Sequence, residues 1–151
     1  MVRYGKLTQS AIAAVSRLAE IYDDERPACA AAEVARTRSL SKPMVAKVLS
    51  MLAQARILKS TPGPGGGYAL ARAPEKITFL DIARVFERHE DPPHCPFGPG
   101  YCGTGTPCPV HDDLVALDSV YEDFLHKHTF APFRGSEGRP QRAMEADPVR
   151  S

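Results

Sequence analysis

Three cysteines crowd one stretch of the chain, Cys95, Cys102 and Cys108 in the spacing C-x6-C-x5-C, and His111 follows the last of them as C-x2-H. Three thiols cannot all pair with one another, and a reducing compartment keeps them reduced, so a metal site is the economical reading. Structural zinc prefers ligand gaps of two to four residues, which makes gaps of six and five wide for it, although a Cys3His zinc site is chemically sound. An iron-sulfur cluster is larger and suits thiolates drawn from a longer loop. Gly98, Gly100, Gly103 and Gly105 punctuate this one and leave amides to hydrogen-bond sulfides. The spacing therefore leaves iron-sulfur, zinc and a metal-free thiol switch in that order. Cys29 stands apart among alanines and reads as a small buried hydrophobe.

The chain that must position these groups has 151 residues, 43% hydrophobic and 25% charged, with a net charge of +1. That is enough for one domain with a real core, and no apolar run approaches the ~18 residues of a membrane span. The start carries Arg3 and Lys6 ahead of an Ala-rich amphipathic stretch rather than an apolar signal core, so a soluble, cytoplasmic chain is expected. The small total hides a segregation: residues 1–88 sum to +6, 89–130 to −6 and 131–151 to +1. A basic front and an acidic back suit a protein that meets a polyanion with one end.

Apolar periodicity predicts a first helix from Leu7 to about Asp23, a short second from Ala30 to Thr37, and a third capped by Ser41 with Pro43 in its first turn, running to about Ala55. Two short apolar pieces, Ile57 to Ser60 and Tyr68 to Ala71, flank Thr61-Pro62-Gly63-Pro64-Gly65-Gly66-Gly67 and read as a hairpin. Three helices followed by a hairpin give the winged helix-turn-helix order, with the third helix in the major groove of double-stranded DNA and the wing tip on a neighbouring groove or phosphate. Thr78 with Asp81 opens a fourth helix. Val110, Leu114, Leu117, Tyr121, Phe124 and His128 then step as a heptad seam, which fits a dimerisation helix or a helix packed on its own domain. The expected fold is mainly α with a small β-hairpin: a winged helix-turn-helix domain over 1–88, a cysteine-rich loop over 89–108, a long C-terminal dimerisation helix over 109–130 and a disordered tail over 131–151. No phosphate loop or catalytic triad is visible, so an enzyme is not expected.

The runs Ile57-Leu58-Lys59-Ser60, Gly63-Pro64-Gly65-Gly66-Gly67-Tyr68-Ala69-Leu70 and Ile77-Thr78-Phe79-Leu80-Asp81-Ile82, followed by the cysteine triad, resemble the iron-sulfur winged-helix transcription regulators of the IscR and NsrR type, the Rrf family of bacteria. The similarity spans about Tyr4 to Thr129. It implies a homodimer on pseudo-palindromic operators, with a cluster in the loop ahead of the dimer helix. Cys95, Cys102 and Cys108 match the family's three thiolate ligands, and His111 matches the fourth ligand of the IscR branch, a set that in this family goes with [2Fe-2S] rather than [4Fe-4S]. The first cysteine gap is six residues where five is common, and Pro62 stands where the wing often carries arginine.

On the DNA side the expected contacts are Ser41, Lys42, Ala46 and Lys47 at the start of the third helix, Lys59 and Ser60 at the wing base, Gly65 and Gly66 at its tip, and Thr8 and Gln9 on the first helix. Lysines mostly meet phosphates, whereas sequence choice needs base edges or duplex shape. The third helix has no Arg, Asn or Gln before Gln54. A zinc-stapled or cluster-free repressor and a small electron carrier are the competing readings.

Overall fold

The computed structural model describes residues 5–25, 27–87, 97 and 105–136. The elements run α1 (Lys6–Glu20), α2 (Ala31–Thr37), α3 (Lys42–Gln54), β1 (Leu58–Thr61), β2 (Gly67–Leu70), α4 (Phe79–Phe86) and α5 (His111–Lys127), with single 3-10 turns at Pro74–Lys76 and Ala131–Phe133. This is the expected winged-helix order. The antiparallel hairpin pairs Leu58 with Leu70 and Thr61 with Gly67.

In the main core cluster Ala11, Ala14, Val15 and Leu18 of α1 meet Val34 of α2 and Val45, Val48, Leu49 and Leu52 of α3, and a smaller cluster joins Leu80 and Ala83 to Leu125. Each large aliphatic side chain sequestered this way contributes about 1.5–3 kcal/mol. α1 ends at Glu20 rather than near Asp23, yet Ile21 and Tyr22 still pack on the core from the following turn. Their apolar character serves burial, which is why the sequence periodicity outruns the helix.

Both turns around α3 are Schellman motifs without glycine. After α2, Ser39 takes φ 53° while Leu40 N–H bonds to the Ala35 carbonyl at 2.9 Å; after α3, Arg56 takes φ 61° while Ile57 N–H bonds to the Leu52 carbonyl at 3.0 Å. α3 opens as the sequence predicts, with the Ser41 hydroxyl accepting from Met44 N–H at 3.4 Å. α4 opens on a capping box: Thr78 N–H donates to the Asp81 carboxylate at 2.9 Å and Asp81 N–H to the Thr78 hydroxyl at 3.1 Å.

The end of the described chain is not the free tail expected from Ala131 onward. Thr129 bridges Thr78, Phe130 N–H bonds to the Ile77 carbonyl at 3.1 Å, and the Phe130 ring is fully buried. Phe133 packs on the same core, and Gly135 N–H closes on the Glu20 carbonyl at 3.1 Å. Two aromatic anchors too sparse to show any period hold this segment down. Residues 137–151 of the expected tail lie outside the described residues.

Candidate nucleic-acid interface and metal centre

Reading heads need exposed polar groups on a rigid scaffold, and α3 provides them because its apolar residues face inward. Val45, Val48, Leu49 and Leu52 are all fully buried, which leaves Ser41, Lys42, Ala46 and Lys47 exposed together at its N-terminal end. Gln9 is exposed on α1. Arg36 and Arg56, exposed beside the two turns that bracket α3, add positive charge that the sequence reading did not assign. Three other cations of the basic half are engaged in ion pairs. Arg17 bonds Glu20 at 3.2 Å and Glu33 at 3.1 Å, Arg38 bonds Glu20 at 2.7 Å, and Arg72 bonds Asp81 at 3.2 Å. The second and third of these pairs tie α1 to α2 and its C-cap and fix the orientation of the helix pair, while the first lies within α1.

Thr8 corrects the sequence reading. It is fully buried, and its hydroxyl donates to the Glu87 carboxylate, so it cannot touch DNA. A helical period places residues on a face but does not say which tertiary element covers that face.

At the wing, Lys59 and Ser60 are exposed as expected. Gly66 N–H closes on the Gly63 carbonyl at 3.0 Å, with Pro64 and Gly65 (φ 73°) as the central residues of a type II turn. Gly65 has open space around it. At Gly66 a Cβ would lie 2.1 Å from the Thr61 carbonyl oxygen, so this glycine serves the hairpin's own close packing rather than acting as an open anion cradle.

Of the expected metal ligands, Cys95 and Cys102 lie outside the described residues. Cys108 and His111 are brought within one turn by the bond from His111 N–H to the Cys108 carbonyl at 3.0 Å, with Cys108 only 4% exposed and His111 the first residue of α5. The positive end of α5 favours an anionic group there. A thiol and an imidazole in one turn suit either zinc or a mixed-ligand cluster, two of the four donors needed. Among the described residues no third donor joins them.

Cys29 is no candidate ligand. Its backbone bridges Tyr68 through two bonds of 2.9 Å, its side chain is 2% exposed, and burial, helped by neighbouring Glu33, pushes its thiol up from 9.0 to about 11. The neutral thiol is the form the fold accepts. Its contribution to stability is complete below pH ~9 and is lost as pH rises through about 11. Native protein at pH 7.5 should leave Cys29 unalkylated by iodoacetamide as read by mass spectrometry, while unfolded protein reacts; rapid native labelling would contradict this burial.

α5 splits the expected seam. Tyr121 and Leu125 pack on Leu80 and Ala83 of α4, and Phe124 meets Phe79 edge-on at 5.7 Å. Val110, Leu117, Val120 and Phe124 are 40%, 46%, 67% and 39% exposed along an adjoining stripe. One helix thus carries an inward face and an apolar outward one. Among the described residues no helix is long and apolar enough to cross a membrane.

Comparison with known proteins agrees with this architecture. Residues 6–133 match the Rrf2 family, described as an iron-dependent transcriptional regulator. The chain is 30% identical over 98 residues to the transcriptional regulator IscR of Vibrio campbellii, covering 65% of this chain and 58% of that one. The chain spans 53% to 66% of the length of such curated relatives. The solved structure of T. potens IscR superposes with a TM-score of 0.70 at 22% identity, covering 94% of each chain, and shares the fold. That of CymR, the global cysteine regulator of B. subtilis, gives 0.67 at 26% identity over 88% of this chain and 98% of that one. These relatives are regulators, not enzymes, in keeping with the absence of any catalytic arrangement in the sequence. With its winged helix, glycine-rich hairpin and long terminal helix, and a family match that runs almost the whole length of the described fold, the chain belongs to the Rrf2 family.

Proposed function

We propose that this chain is a cytoplasmic DNA-binding transcriptional regulator that acts as a homodimer on a pseudo-palindromic operator. An iron-sulfur cluster, [2Fe-2S] in preference to [4Fe-4S], is held by Cys95, Cys102, Cys108 and His111 and modulates that binding. The observation that carries the reading is the turn at the start of α5, where a buried thiol and an imidazole follow one another at a helix N-terminus. The family's description as iron-dependent supports the same metal. When bound, the cluster supplies a group whose charge and presence respond to redox conditions and to iron-sulfur supply.

The chain's own residues do the rest. Lys42, Lys47 and Lys59 meet phosphates and give the binding its salt dependence. Ser41, Lys47 and Gln9 reach base edges, and with so few base readers duplex shape carries much of the selectivity. The outward stripe of α5 is covered by a second copy of the chain, which sets two reading heads about a twofold axis. Val120→Glu, at the most exposed position of that stripe, should leave the circular dichroism unchanged, give a monomer by light scattering and weaken operator binding ~100-fold or more through lost bivalency. A dimer that survives would remove α5 as the interface.

The deciding experiment is visible and EPR spectroscopy with iron and sulfide assay on anaerobically purified protein, beside operator binding by fluorescence anisotropy. A chromophore that disappears in Cys108→Ala together with a change in operator affinity is expected. Colourless, iron-free wild-type protein that binds its operator at full strength would leave a zinc-holding or cluster-free repressor.

A further inference from the structure

α1 begins without a cap of its own. Its N-cap is Gly5, no acidic residue lies in its first turn, and no side chain from its own segment caps it. The first amides of a helix need acceptors and its positive end favours a carboxylate. Glu87, at the end of α4 and distant only in sequence, supplies one. Its Oε1 accepts from Gly5 N–H at 2.8 Å and from the Thr8 hydroxyl, the latter on a fully buried residue. Glu87 is also the C-cap of α4, its N–H bonded to the Ala83 carbonyl at 2.8 Å, and only Arg88 separates it in sequence from the cysteine segment. α1 in turn packs its apolar face against α3, the helix that carries Ser41, Lys42 and Lys47. One carboxylate therefore joins the end of α4, two residues before the cysteine segment, to the helix that backs the reading helix.

We infer that Glu87 is the positioning residue through which the state of the cysteine segment reaches the DNA-reading helix. Its hold on α1 differs between the cluster-loaded and the cluster-free chain. The inference rests on the cluster reading above. A bound group shifts DNA affinity only as far as it interacts differently with two states of the protein, and the Glu87 cap is the described contact that lies between the cysteine segment in sequence and α1 in space. Neither Glu87 nor Thr8 touches DNA or ligates metal in this scheme, so their substitution should spare both activities taken alone.

The test compares operator affinity of cluster-loaded and cluster-free dimers for wild type, Glu87→Ala, Thr8→Val and Thr8→Ser, at a temperature where all are folded by circular dichroism. Wild type should show the about 5- to 150-fold difference between states that is usual for coupled sites. Glu87→Ala should keep its chromophore and its binding in one state but bring the ratio to within about twofold of unity. Thr8→Val should act in the same direction, and Thr8→Ser, which keeps the hydroxyl, should preserve the wild-type ratio. Hydrogen exchange at the first amides of α1 should differ between states in wild type and become equal in Glu87→Ala, a readout that a purely structural cap would not move. A wild-type ratio retained in Glu87→Ala would overturn the coupling and leave the cluster reading standing. A wild-type chain with no difference between states would overturn both, since there would be nothing to transmit.

Discussion

Phe130→Ala should cost about 3–5 kcal/mol of stability and lower Tm by ~10 °C. Phe130 is the largest of the fully buried side chains; its ring lies 4.8 Å from that of Phe79 and 6.0 Å from that of Phe133, and its backbone is bonded to Ile77. Truncation leaves a cavity between α1, α4 and the segment after α5 that rigid helices cannot collapse to fill. The loss belongs to the reading domain, because Phe130 shares one core with Val15, Val48 and Leu52. Urea or thermal unfolding followed by far-UV circular dichroism measures it. A cost below about 1 kcal/mol would mean that the returning segment merely lies on the domain instead of completing it.

Gly67→Ala is expected to be comparably damaging for a different reason. Gly67 has φ 147°, and a Cβ there would sit 2.3 Å from the Cys29 carbonyl oxygen and 2.8 Å from Ala30 N. Left-handed strain and overlap with backbone that cannot step aside together cost ~3 kcal/mol or more. The hairpin would separate from the strand-like contact at Cys29, and operator binding would fall with it. Gly65→Ala is the control: φ 73° with open space around it carries strain alone, ~1 kcal/mol. Equal Tm values for the two variants would show that the wing tolerates separation from Cys29.

What could be read from the sequence was what neighbours in sequence decide. Ser41 before Lys42-Pro43, Thr78 with Asp81, and Pro64-Gly65 are caps and turns written within four residues, and the structure has each of them. The apolar face of α3 is legible for the same reason. Contacts made across the fold left no such mark. Thr8 sits on α1 where an exposed residue fits equally well, and only Glu87, far along the chain, turns it inward. The steps of 3 and 4 in α5 are shared by a helix that docks on its own domain and one that docks on a copy, so the period could not separate Tyr121, which packs on α4, from Leu117, which faces outward. Phe130 and Phe133 act from an irregular segment, where no period exists to find. The cysteine spacing left iron-sulfur, zinc and a thiol switch open, and of that set the described residues place Cys108 and His111 within one turn.

The paired backbone bonds between Cys29 and Tyr68 lock the wing to the entrance of α2. Hairpin and helix pair are consequently one piece, and their separation is a ruler of fixed length. On the proposed DNA contacts, a duplex with a base pair inserted between the point facing the wing and the point facing α3 would lose one of them outright, because the protein has no joint there with which to stretch.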